Sequence, residues 1–146
     1  MSTKRFHGIV SLVLVGLASV LGLVVIAIHS RVWGLIFLGG MAGAPQVIVR
    51  SYCAKCACKE HCAHVLPGKA AMVFAKEPGP YTSIELLSMA CAVGLLLGLP
   101  QFWLWRTPLL GIIYWALAGI AFFQIRLAVC PRCTNTHCPL SKHVYR

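Results

Sequence analysis

Four apolar runs, at positions 8–29, 31–49, 83–105 and 107–129, constrain this chain more than any other feature. Each reaches the length of about 20 residues that a helix needs to cross the hydrocarbon core of a bilayer. Together they use most of the 146 residues. Only 11% of the chain is charged, whereas a soluble domain carries roughly 25%. The reading is an all-α integral membrane protein, with residues 1–146 forming a single membrane domain. The first run follows Lys4 and Arg5 and has the outline of a signal peptide. It is longer than the usual h-region and lacks a small-residue cleavage site, so a retained anchor is expected.

The basic residues predict the orientation. Lys4, Arg5, Arg50, Lys55, Lys59, Lys69, Lys76, Arg126, Arg132, Lys142 and Arg146 fall on one side of the four spans, and only Arg31 and Arg106 on the other, which accounts for all 13 Lys and Arg. Cytoplasmic segments of membrane proteins are enriched in Lys and Arg. Both termini and the loop at 50–82 are therefore expected on the cytoplasmic side of a plasma (inner) membrane, as part of a multi-pass protein. The +10 formal charge then reflects orientation and lipid headgroups, and no nucleic-acid partner is expected.

Short connections at His29-Ser30-Arg31 and Arg106-Thr107-Pro108 make two helical hairpins, at 8–49 and 83–129. Trp33, Trp103 and Trp105 stand beside these connections as interface anchors, with Tyr52 and Tyr81 at the other interface. Thr82 followed three residues later by Glu85 has the form of a capping box and is expected to start the third span. Pro100 is expected to kink it. Glu85 is expected to pair with Arg50 or Arg126.

Each hairpin is followed by a similar segment: RSYCAKCACKEHC from Arg50, and RLAVCPRCTNTHC from Arg126. Both contain Arg, then CxxC, then a His-Cys pair. With two spans per unit, the halves would be tandem hairpins in parallel topology, related by a pseudo-twofold axis along the membrane normal. The Cys-rich loop at 50–82 and the tail at 130–146 then share one face. Gly39-xxx-Gly43 and Gly94-xxx-Gly98 are small-residue packing motifs, expected to serve helix packing inside the bundle or, as the lesser alternative, a homodimer seam.

Seven of the eight cysteines lie in the two repeated segments. In a reducing cytosol they should be thiols, and close pairs of thiols in short loops suggest metal ligation. The candidate ligands are Cys53, Cys56, Cys58 and Cys62 in the first segment, and Cys130, Cys133, Cys138 and His137 in the second. Four thiolates suffice for a tetrahedral zinc site or for one [4Fe-4S] cube, while the second segment needs His137, His143 or a neighbour's thiolate. Either each segment holds its own centre, the favoured arrangement, or both share one site. Cys138-Pro139 is similar to the Cys-Pro end of bacterial ferredoxin runs, but the spacing departs from that pattern and implies no family. His61, His64 and His137 favour zinc, as imidazole beside thiolate is common there. Lys55, Lys59, Arg126 and Arg132 would lower thiol pKa values or simply fix topology.

No charge or histidine occupies the middle of a span, which argues against an ion-coupled transporter or a bis-histidine haem. Tyr114, Gln101 and Gln124 are candidates for a quinone pocket, though hydrogen bonding between helices is the favoured role. Cys91, buried in the third span, is expected to act as a small hydrophobe. No nucleophile–base set, carboxylate pair or phosphate-binding glycine loop is present, so independent catalytic activity is not expected. The leading expectation is an accessory electron-transfer subunit of a membrane redox complex. It would carry an iron–sulfur cluster and meet a protein partner on the cytoplasmic face. The alternatives are a zinc-stapled docking protein, a thiol–disulfide oxidoreductase and a soft-metal handling protein.

Overall fold

The computed structural model describes residues 3–62, 64–74, 76–130, 135, 137 and 138, of which residues 3, 4, 61 and 65 are described by backbone alone. Six α-helices follow one another: α1 (Thr3–His29), α2 (Arg31–Ser51), α3 (Val65–Val73), α4 (Ser83–Gly98), α5 (Gln101–Leu104) and α6 (Pro108–Gln124). Single 3-10 turns at Cys53–Lys55 and Lys59–His61 lie between α2 and α3, and a π turn, Ile125–Val129, extends α6. Four segments are long and apolar enough to cross a membrane: Arg5–His29, Arg31–Lys55, Ser83–Leu104 and Pro108–Val129. They coincide with the four apolar runs, except that the second continues through the first cysteine turn.

The outward faces of these helices are those of a bundle solvated by lipid. Leu35, Ile84, Phe102 and Leu109 are each at least 70% exposed, an arrangement that would be costly over so much of a surface in water. The buried core is small, formed by Val25, Ile26, Phe37, Trp103, Leu104 and Tyr114. Trp33 meets Trp103 at 5.9 Å between ring centroids, which brings together two of the three tryptophans expected near the short connections. The capping box forms as expected: Thr82 accepts from the Glu85 N–H, and the Glu85 carboxylate accepts from the Thr82 N–H.

The helices do not pair simply by sequence order. α1 lies along α6, α2 along α4, and α1 along α2, whereas α4 and α6, the arms of the second hairpin, scarcely touch. Pro100 accounts for much of this. It ends α4 and starts the short α5, and its ring seats against Gly22 of α1, where an added Cβ would lie 2.9 Å from the proline Cγ. The chain is thereby drawn across α1 and away from α6. Proline has no N–H to give the carbonyl four residues back, here that of Leu96. Tyr114, reaching over from α6, donates its hydroxyl to Leu96 O at 3.0 Å, with Leu97 O at 3.3 Å. The amide of Gln101 also donates to Leu97 O, at 3.0 Å. The second hairpin is thus joined through side chains that repair a proline break.

The small-residue motifs behave otherwise than expected. Gly39, Gly43, Gly94 and Gly98 have no neighbour within 4 Å of an added Cβ, so none of them permits a close approach within the bundle. That role falls to Gly22 against Pro100 and to Gly34, where a Cβ would stand 3.1 Å from the Ala27 backbone. A G-xxx-G spacing puts two glycines on one stripe of a helix, but which way the stripe faces depends on the apolar bulk around it.

Candidate thiol-lined metal centre

The loop between α2 and α4 is ordered around its lysines. Lys55 donates to Glu85 at 2.8 Å and to Pro80 O at 3.4 Å, and Lys76 lies 3.7 Å from the same carboxylate. This corrects the expected pairing of Glu85 with Arg50 or Arg126; Arg50 instead stacks its guanidinium over the Phe74 ring at 4.9 Å. Lys55 is nearer because the turn that follows α2 folds it back over the start of α4. Lys59 donates to Lys76 O at 2.7 Å and to Ala54 O at 3.4 Å, clamping the turn between the cysteines. α3, which the apolar pattern did not reveal, lies across this turn. It approaches so closely that a Cβ on Gly68 would sit 2.8 Å from Lys59 O and 3.0 Å from Cys62 Cβ.

These contacts enclose a cavity of about 270 Å³ at one end of the bundle. Cys53, Cys56 and Cys62 of the first segment line it together with Cys130 and Cys138 of the second. Ile48, Met89, Val93, Ile125 and Val129, from α2, α4 and the π turn, supply an apolar wall. Cys130 is buried at the end of that turn, an element that often marks functional sites. No disulfide joins any two of the described cysteines.

The remaining predicted ligands are distributed differently. Cys58 is half-buried outside the cavity lining. His137 is exposed and does not line the cavity. Cys133, like Arg132 and His143, lies outside the described residues. Among the described residues, no three His, Cys, Asp or Glu side chains form a ready-made ligand set for one metal ion. Cys91 stands exposed on α4, on the same outward apolar stripe as Leu87 and Leu95 rather than in the core, and takes no part in the cavity lining.

Of two further features, the first, His64, was among the histidines the sequence offered as donors beside the thiols, and the second was not expected. His64 lines the cavity, and its Nδ1 donates to the carbonyl of Gly8 in α1 at 3.1 Å. Burial lowers its pKa, against a smaller upward pull from that carbonyl. The ring is therefore held neutral with Nε2 bare, the form in which histidine ligates metals. The second feature is a group of polar side chains behind the thiols. Tyr52 and Tyr81 stack at 4.6 Å with their planes 12° apart, and the Tyr52 hydroxyl lies 2.8 Å from Cys138 Sγ. Asn135, 1% exposed, donates to Tyr81 Oη at 3.2 Å and towards Cys56 Sγ at 3.4 Å. Burial, reinforced by nearby Cys56, holds the Tyr81 hydroxyl well above the usual tyrosine pKa, outweighing the opposite pull of Asn135. The sequence placed both tyrosines at the interface; the contact of Tyr52 with Cys138 sulfur, across the two segments, had no signal in residue order.

Away from this end, Gln101 lines a second cavity of about 550 Å³ with Leu104, Trp105 and Trp115, and its Oε1 accepts from the Trp115 indole at 2.9 Å. Tyr114 is occupied with backbone carbonyls, and the buried Gln124 Oε1 has no hydrogen-bond partner among the described residues. Gln101 and Tyr114 thus meet at the Leu97 carbonyl, while Gln124 stands apart at the far end of α6, so the three candidates for a quinone pocket are not gathered in one place. Comparison with known proteins found no matching family model, curated protein or solved structure.

Proposed function

We propose that the protein is a membrane-bound electron-transfer subunit whose two cysteine segments jointly hold an iron–sulfur cluster at the cytoplasmic surface of the plasma membrane. The observation that carries this reading is the cavity of about 270 Å³ lined by five thiols drawn from both segments. A single zinc ion draws its thiolates in to about 2.3 Å from one point. A [4Fe-4S] cube binds each thiolate through a different iron, so its ligands surround a void. Five thiols around a space fit the second chemistry better.

Cys53, Cys56, Cys62, Cys130 and Cys138 are the candidate ligands, and His64 Nε2 is a further donor. When bound, the cluster would supply one reversible electron. The chain's own residues do the rest: Lys59 brings a positive charge to the cavity lining, the wall of Met89, Val93, Ile125 and Val129 excludes water, and the loop over α3 sets the distance to a docking protein. The eleven basic residues counted on this side of the spans support a cytoplasmic face for the cluster and both termini.

The helix packing also bears on the tandem repeat. A twofold axis along the membrane normal would exchange the α1–α6 pair with the α2–α4 pair, and these are the two most extensive helix pairings among the described residues. The same axis would equate α1–α2 with α4–α6, and there the halves have diverged around Pro100.

Anaerobic purification followed by iron, acid-labile sulfide and zinc analysis, with an EPR spectrum of the reduced protein, tests the reading. Iron and sulfide in equal amounts with a cluster signal are expected. Zinc without sulfide would overturn it in favour of a structural staple.

A further inference from the structure

Behind the thiols stands a set of side chains that no ligand count requires. Tyr52 follows α2, Tyr81 precedes α4, and Asn135 belongs to the tail, so three separate stretches of chain meet there. The contacts cross between the cysteine segments in both directions. Tyr52 of the first segment lies 2.8 Å from the sulfur of Cys138 in the second, and Asn135 of the second points its amide at the sulfur of Cys56 in the first, at 3.4 Å. The stacked rings and the 3.2 Å contact from Asn135 to Tyr81 Oη close the frame. Asn135 Oδ1 also accepts from the His137 N–H at 3.1 Å, which fixes the orientation of the amide so that its N–H2 faces sulfur.

We propose that Tyr52, Tyr81 and Asn135 form a hydrogen-bonding frame that sets the reduction potential of the centre held between the two cysteine segments. The inference rests on the iron–sulfur reading above. A thiolate carries no proton, so at a ligated Cys138 the Tyr52 hydroxyl is necessarily the donor, as the Asn135 amide is towards Cys56. Donation to a ligand sulfur offsets negative charge, and the reduced centre has one more negative charge than the oxidised one. The frame therefore favours the reduced form, and hydrogen bonds to sulfur are among the established levers on cluster potential. The electron comes from a reduced protein partner, and no bond forms or breaks in the frame. The tyrosines and Asn135 are positioning residues; the ligands are the cysteines.

The experiment is an EPR-monitored redox titration of the full-length protein in detergent, with iron and sulfide measured on each sample. Tyr52→Phe and Asn135→Leu each remove a donor and keep the approximate volume. Each is expected to retain iron and sulfide at the native level and to favour the reduced form about tenfold less, a fall in midpoint of about 59 mV for a one-electron couple. Tyr81→Phe, which removes no direct donor to sulfur, is expected to have a smaller effect. An unchanged midpoint in any iron-retaining Tyr52→Phe or Asn135→Leu sample overturns the proposal. Loss of iron from both variants also overturns it, because the frame would then be a structural support. Absence of iron and sulfide from the native protein is a different failure, that of the iron–sulfur reading itself.

Discussion

Gly68 is where one hydrogen atom decides the shape of the site. A Cβ there would sit 2.8 Å from a backbone oxygen, Lys59 O, and 3.0 Å from Cys62 Cβ. Backbone in a clamped turn yields poorly, since Lys59 is already tied to Lys76 O and Ala54 O. Gly68→Ala should lift α3 off the turn, at the cost of about 1–3 kcal/mol typical of overpacking, and displace Cys62 from the cavity. The expected result is a lower thermal midpoint in detergent and faster alkylation of Cys62 by N-ethylmaleimide, read by mass spectrometry. Gly39→Ala is the counterpart, because a Cβ there meets nothing within 4 Å. It should leave the thermal midpoint unchanged or raise it, as alanine is the better helix former by about 1 kcal/mol. Sequence spacing singled out Gly39 and passed over Gly68. G-xxx-G is visible as a pattern, whereas the close approach at Gly68 depends on a loop fold that has no period to read.

The elements were legible to different degrees for a physical reason. Burial in lipid imposes a long uninterrupted apolar run, so the four spans, the capping box at Thr82 and the break at Pro100 could all be read from residue order. α3 is short and its apolar residues follow no clear stripe, so nothing in the 50–82 segment announced it. The ion pair of Glu85 depended on the same loop and went to Lys55. The Pro100 break has a consequence that can be measured. Its missing N–H leaves Leu96 O to be satisfied by Tyr114 at 3.0 Å. Tyr114→Phe should therefore strand a buried carbonyl and cost about 1–3 kcal/mol. Pro100→Ala restores an N–H four residues on, so in that background Tyr114→Phe should cost clearly less. A double-mutant cycle of unfolding free energies in mixed micelles reads the coupling. Equal costs in both backgrounds would show that Tyr114 acts through packing alone.

At the scale of the whole molecule, the open question at the sequence level was whether two cysteine segments mean two centres. Counting ligands along the chain favoured two, because the first segment alone has four thiols; the topology put both segments on one face, but a linear count cannot register that the π turn after α6 brings Cys130 into the same cavity as Cys53. The cavity gathers Cys53, Cys56 and Cys62 with Cys130 and Cys138, which on the proposed reading makes the segments halves of one site. The two arrangements predict different stoichiometry. If each segment held its own cluster, Cys53→Ser would abolish one and leave the iron bound by the second segment in place, and Cys130→Ser would do the reverse. Each variant would then keep roughly half of the native iron. With a shared centre either substitution removes a ligand from the same cluster, so both should lose most of the iron and sulfide together and show the same collapse of the EPR signal. Cys58→Ser and Cys91→Ser provide the baseline. Cys58 stands outside the cavity lining and Cys91 is exposed on α4, so both should retain native iron. Half-occupancy in the Cys53 and Cys130 variants would separate the segments again. Full loss in both, with retention in the Cys58 and Cys91 variants, would make the joining of two hairpins the condition for the centre to exist.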